Sequence, residues 1–158
     1  KTCDKGMPKN PKIVKTIVTT ELTSKICEEY GAKTVDVLTG FKYIGDKIKE
    51  YEKTEDTFIF GLEESYGYLK GTYARDKDAV VAAMLICEMA ADCKERGISV
   101  LDYLEELYKK HGYHREILMN YTFKGVSGEE KIKNIMNYFR ESYTPDGLTL
   151  KNFHLWFV

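Results

Sequence analysis

Three short runs rich in β-branched and aromatic residues, IVKTIV (13–18), TVDVL (34–38) and TFIFGL (57–62), read as buried strands. Between them, apolar residues return at helical spacing. Leu22, Ile26, Cys27 and Tyr30 mark a helix near 21–30 that stops at Gly31, and Phe41, Ile44, Ile48 and Tyr51 form one stripe of a second. Strands that alternate with helices are joined by crossovers, and crossovers make parallel pairs. The pattern predicts an α/β chain: a layered α/β/α domain on a small, mostly parallel mixed sheet.

Beyond the third strand the chain reads as follows. A loop spans the sixties and early seventies, and a helix begins near Asp76 or Asp78, runs to about Arg96 and stops at Gly97. Its residues from Ala79 onward are expected in the core. SVLDYLEELYKKHG is a short amphipathic helix with an S-x-x-D cap at Ser99 and an end at Gly112. REILMNYTFKG (115–125) is expected as one more strand. SGEEKIKNIMNYFRES follows as a helix behind an S-x-x-E box at Ser127, with Ile132, Ile135, Met136 and Phe139 on one face. The main domain is placed at residues 10–142, and 143–158 form an unassigned tail. That tail ends in an aromatic cluster without a stop signal, so an edge strand, the stump of a following domain or a segment outside the natural fold all fit it.

At 158 residues the chain is long enough for one core without disulfide or metal staples. A net charge of −1 leaves no electrostatic footprint for nucleic acid or an anionic membrane. The longest apolar run, Ala79 to Cys87, is closed by Glu88 and is too short to span a bilayer; residues 1–12 lack the apolar core of a signal peptide. Cys3, Cys27, Cys87 and Cys93 show neither CxxC pairing nor metal-ligand spacing, as expected of reduced thiols in a cytoplasmic protein. His111, His114 and His154 share no motif with a carboxylate or thiol and read as ordinary surface or partly buried histidines.

Ligands of a parallel α/β sheet bind outside the carboxyl ends of its strands. Two turns occupy that position. Leu38-Thr39-Gly40-Phe41-Lys42 offers free helix N–H groups, a glycine and a lysine. The stretch FGLEESYGYLKGTYARDKDAV places Glu63, Glu64 and Ser65 directly after a strand, then Tyr66 and Tyr68, then Arg75 and Lys77 at a helix start. Carboxylates beside hydroxyls and flat aromatics suit a polyhydroxylated ligand, and the two cations suit a phosphate. Plainer readings compete: adjacent glutamates are ordinarily solvated, Asp76 and Asp78 suit a helix start by charge alone, and Gly67 and Gly71 can simply serve a turn.

Other chemistries fail on the residues. There is no G-x-G-x-x-G after the first strand, no G-x-x-x-x-G-K-[ST] and no G-x-S-x-G elbow. Glu63 and Glu64 are adjacent in extended backbone and point apart, so they cannot flank a glycosidic bond together. The residues support a sugar- or sugar-phosphate-binding α/β domain without visible catalytic machinery.

TGFKYIG (39–45), GLEESYGY (61–68) and RDKDAV (75–80), in that order and spacing, resemble the third, sugar-binding domain of the α-D-phosphohexomutases. These are the bacterial phosphoglucomutases and phosphomannomutases, enzymes of four domains; the likeness covers roughly residues 10–142. The resemblance implies that Glu63 and Ser65 meet the 3- and 4-hydroxyls of a hexose. It implies that Thr39 and Gly40 meet the sugar through their backbone with Lys42 close by, and that Glu64 supports the loop. Lys77 matches a family lysine proposed as general acid or base near the transferring phosphoryl group, with Arg75 shaping that site. Leu62 stands where many members carry a second glycine.

The implied reaction moves phosphate between the 1- and 6-positions of a hexose. A phosphoserine in the first domain makes a bisphosphate, which turns end for end and returns the other phosphate. The 3- and 4-hydroxyls roughly exchange places on that flip, so one carboxylate and one hydroxyl can serve both orientations. No T-A-S-H-N-P-like serine loop, D-G-D-x-D-R metal loop or R-x-S-G-T-E-P-like phosphate loop occurs in this sequence. The expected partners are therefore glucose 1-phosphate, glucose 6-phosphate, glucose 1,6-bisphosphate or mannose phosphates, together with the remaining domains of a parent enzyme. No cofactor is expected in this chain, and Mg2+ is expected in a domain it lacks. EESYG has no histidine after the serine, unlike some mannose-accepting relatives, which favours glucose. A phosphopentomutase-type relative or a stand-alone carbohydrate module is the alternative.

Overall fold

The computed structural model of the chain describes residues 6–117 and 121–142. Two compact units are present, Lys1–Glu116 and Ile117–Val158. The first holds β1 (Pro11–Thr16), α1 (Leu22–Glu29), β2 (Lys33–Val37), α2 (Phe41–Tyr51), β3 (Thr57–Glu63), β4 (Gly67–Lys70), α3 (Ala79–Glu95) and α4 (Val100–His111). The second holds α5 (Gly125–Ser142).

The sheet has the order β2-β1-β3-β4. Both pairs involving β1 are parallel, and β4 returns antiparallel along β3 with Glu63 opposite Gly67. Alternation along the strands divides the core between two faces. Val14, Val37, Phe58 and Leu69 pack with Phe41, Ile44, Ile48 and Tyr51 of α2. Ile13 packs on the opposite face with Cys27 of α1 and Ala32, joined by the half-buried Ile59, Phe60 and Leu62. Each large side chain on the α2 stripe contributes about 1.5–3 kcal/mol by burial. That far exceeds the helix propensity lost to isoleucine or to Gly45, at most about 1 kcal/mol per residue.

Three expectations need correction. The loop after β3 contains a strand, β4, entered by the three-residue turn Glu64-Ser65-Tyr66. Such turns require a left-handed third residue, usually glycine, and here Tyr66 adopts it with φ 65°. The turn signal was therefore missing from the sequence. No strand forms in 115–117 or 121–124, and residues 118–120 of the expected strand lie outside the described ones. A strand without a partner leaves its N–H and C=O groups unsatisfied. Helix α5 starts at Gly125, two residues before Ser127, so Ser127 is a helical residue and not its cap. The tail 143–158 lies outside the described residues.

Helix α3 departs from expectation in burial. Of the two starts the sequence left open, Asp76 and Asp78, the cap is Asp78, whose carboxylate accepts from the N–H groups of Val80 and Val81. It runs along β4 and meets α4, yet Cys93 is its one buried residue, and Val80, Met84 and Ile86 are exposed. Helix α4 begins with the full Ser99–Asp102 capping box. Cys27, Cys87 and Cys93 are free thiols. No helix among the described residues is long and apolar enough to cross a membrane.

Candidate functional site

A ligand site in such a sheet forms where connections from neighbouring strands leave in opposite directions. With the order β2-β1-β3-β4 that point lies between β1 and β3, because the chain turns from β1 to β2 and then crosses back to β3. Thr16, Val37 and Glu63 end the three parallel strands, so the turns at 38–42 and 64–66 open on one edge.

All three sequence stretches meet there. Arg75 lays its backbone across α2 at Gly45, where a Cβ would stand 2.7 Å from the Arg75 carbonyl oxygen. Lys77 Nζ lies 5.8 Å from the centre of the Phe41 ring. The Asp78 N–H donates to the Tyr68 carbonyl at 2.8 Å. Residues 39–45, 61–68 and 75–80 therefore form one connected surface.

Glu63 is 7% exposed, and its carboxylate lies over Gly67, where an added Cβ would come 2.5 Å from Oε1. Gly67 has no positive φ, so the glycine serves to leave that room. Among the described residues the Glu63 carboxylate accepts no hydrogen bond, although its oxygens are not sealed from solvent. Ser65 is exposed, and its hydroxyl has no partner among the described residues either. The Glu63 carboxylate, enclosed by the fold yet open at its oxygens, and the exposed Ser65 hydroxyl two residues on are both available to a ligand's hydroxyls.

The remaining candidates differ in availability. Thr39 and Gly40 are half-buried, and Gly40 is the α2 N-cap with φ 114° and no side-chain cap. Lys42 is exposed, with Nζ 4.9 Å from the centre of the Tyr43 ring. Lys77 is 53% exposed at its side chain and pairs with Asp76 at 3.2 Å. Arg75 is turned onto Glu52 and the Thr72 carbonyl, which braces the 75–78 segment against α2.

Glu64 takes the opposite side of the turn from Glu63, and its Oε2 accepts from Thr16 Oγ1 at 2.9 Å. Thr16 and Thr19 Oγ1 are 2.7 Å apart. Lys15, wholly buried at the end of β1, pairs with Glu21 and Asp36, each at 2.9 Å, and donates to the Thr19 carbonyl at 3.1 Å. Sequence reasoning passed over this group. Its signal is the lysine inside IVKTIV, since a charge in a strand covered on both faces needs partners.

Among the described residues no three His, Cys, Asp or Glu side chains converge to hold a metal ion. A hollow of about 290 Å³ between α1 and α4 is lined by Glu29, Arg96, Glu106, Lys110 and His111. Its charges already satisfy one another: Lys110 pairs with Glu29 and Arg96 with Glu106, while His111 Nε2 lies 3.3 Å from the Glu29 carboxylate.

Residues 1–111 match the phosphoglucomutase/phosphomannomutase alpha/beta/alpha domain III family. The chain belongs to that family. It is 38% identical over 130 residues to a phosphoglucomutase of Staphylococcus aureus (strain N315), covering 82% of this chain and 23% of that protein. It is 39% identical over 140 residues to a phosphoglucomutase of Staphylococcus epidermidis (strain ATCC 12228 / FDA PCI 1200), covering 89% of this chain and 25% of that one. The chain thus spans about a quarter of the length of these curated relatives. A crystal structure described as a phosphomannomutase from Thermus thermophilus shares the fold, with a TM-score of 0.53 at 20% identity, over 66% of this chain and 22% of that one.

Proposed function

We propose that this domain III chain, within residues 10–142, is the sugar-reading part of a cytoplasmic phosphoglucomutase or phosphomannomutase. The parent isomerase moves phosphate between the 1- and 6-positions of a hexose through a bisphosphate. The observation that carries the reading is the buried, unpartnered Glu63 carboxylate beside the unpartnered Ser65 hydroxyl, at the switch point of the sheet. The fold holds that carboxylate in place with its oxygens still open, so it accepts a hydrogen bond from a sugar hydroxyl without first rearranging.

In this reading Glu63 and Ser65 hold the 3- and 4-hydroxyls. Thr39 and Gly40 approach the ring by backbone, with Lys42 alongside. Lys77 meets the transferring phosphoryl group, and Arg75 holds Lys77's segment in place. Glucose phosphates are the favoured substrates. The serine that carries the phosphoryl group, and the magnesium ion that supports its transfer, are assigned to parts of the parent outside this chain.

The test is kinetic and uses the full-length enzyme. Glu63→Gln and Ser65→Ala each lower kcat/KM, Glu63→Gln by about 10- to 100-fold, as expected for a hydrogen bond to a charged group. The loss is similar starting from glucose 1-phosphate or glucose 6-phosphate. Unchanged kinetics in Glu63→Gln would sink the reading.

A further inference from the structure

Glu64 separates the two residues proposed to read the sugar, and its own carboxylate is committed elsewhere. Thr16 Oγ1 has one proton, and a carboxylate only accepts, so that proton goes to Glu64 Oε2 at 2.9 Å. Thr19 Oγ1, 2.7 Å from Thr16 Oγ1, must then be the donor of their mutual bond. Thr19 is itself held at two further points: its N–H donates to the Thr16 carbonyl at 2.9 Å, and its carbonyl accepts from Lys15 Nζ. Lys15 is tied to Asp36 on β2 and to Glu21 at the start of α1. A continuous line of polar contacts therefore runs from β2 across the end of β1 to the turn after β3. Thr16 is fully buried and Thr19 is 7% exposed, so the hydroxyl pair at the middle of the line is shielded from competing water.

We propose that Thr16 and Thr19, backed by Lys15, are positioning residues for the sugar site: by holding Glu64 they fix the direction of the Glu63–Ser65 turn before substrate arrives. This rests on the sugar-reading role of Glu63 and Ser65. A three-residue turn whose flank is anchored to another strand loses less freedom on binding than one anchored only by its own hairpin. The donor order also specifies which replacements preserve it. Thr16→Ser keeps the hydroxyl, Thr16→Val removes it with little change in shape, and Glu64→Leu removes the acceptor.

The experiment compares Thr16→Val, Thr16→Ser, Glu64→Leu, the Thr16→Val/Glu64→Leu double variant and Glu63→Gln in the full-length enzyme. Expected are a roughly tenfold loss of kcat/KM for Thr16→Val and Glu64→Leu, near-full recovery in Thr16→Ser, and a double variant no worse than either single one. Glu64 is exposed, so Glu64→Leu cuts the relay without disturbing the interior if Thr16→Val folds poorly. If Glu63→Gln is impaired while Glu64→Leu keeps wild-type kinetics, the positioning role is wrong and the sugar reading stands. Losses in the two single variants that add in the double also overturn it. If Glu63→Gln keeps full activity, the sugar reading fails and the positioning role falls with it.

Discussion

Glu63 and Gly67 show how one residue's missing atoms set another's chemistry. The Glu63 carboxylate occupies the space a Gly67 side chain would fill. Gly67→Ala is expected to push that carboxylate out of place and to lower stability by about 1–3 kcal/mol, the usual cost of overpacking. Denaturant melts and a parallel loss of activity in the full-length enzyme check both effects. Lys15 gives a second test at this scale, because burial is unequal across its ion pairs. Lys15 is fully buried, while Glu21 and Asp36 are about half exposed at their side chains. Removing both carboxylates leaves a buried charge with only the Thr19 carbonyl to receive its N–H groups, whereas removing the lysine leaves two carboxylates that water can reach. Glu21→Gln/Asp36→Asn is therefore expected to cost about 3–5 kcal/mol, and Lys15→Met much less. The opposite ranking in urea melts would contradict this account.

At the scale of the element, α3 starts where Asp78 accepts from Val80 and Val81, and Tyr73 donates to the same carboxylate. The Tyr73 hydroxyl first, and then the Val80 N–H, hold the Asp78 carboxyl below its ordinary range. In α4 the Ser99 hydroxyl and then its N–H do the same for Asp102. A carboxyl whose pKa is lower folded than unfolded adds stability above the unfolded value, near pH 4, and loses it as pH falls through the folded value. The protection factor for amide exchange at Val80 and Val81, the rate corrected for its intrinsic pH dependence, is expected to fall below about pH 4 and to stay flat from there toward neutrality. Asp78→Asn keeps a capping oxygen without a titrating group and should remove that acid dependence.

Much of the element layout was legible because its signals are local. The α2 stripe, the Ser99–Asp102 box, a helix start near Asp76 or Asp78 and the glycine stops are legible in the sequence, being matters of spacing within one turn or a few. The β3–β4 hairpin was missed because its left-handed residue is a tyrosine. The segment 115–125 carries strand-like residues, but strand formation depends on a neighbour, which local composition does not report.

At the scale of the whole molecule, the chain amounts to about a quarter of its curated relatives, and its site is one wall of a larger one in the proposed reading. Three or four sugar contacts at about 1 kcal/mol net each sum to roughly 4 kcal/mol, near a millimolar Kd before ordering costs. The isolated chain is expected to bind glucose 1,6-bisphosphate no more tightly than that, by amide shifts at Glu63 and Ser65, and to show no mutase turnover. Micromolar binding, or turnover of glucose 1-phosphate by material free of host enzyme, would refute the division of labour.

The sequence by itself determined the α/β class, the order of its helices and main strands, and the three stretches that mark the family, since each is written in periodicity or in a contiguous string. Tertiary structure decided which polar groups are spent and which are free. Glu64 and Glu63 are neighbours of the same type, yet one is held by Thr16 from another strand and the other lies buried without a donor. That difference arises from β1 and β3 meeting side by side, from Gly67 facing Glu63 across the hairpin, and from Lys15 finding Asp36 on β2. These pairings join residues far apart in the chain, and their free energies exist only once the sheet has brought them together.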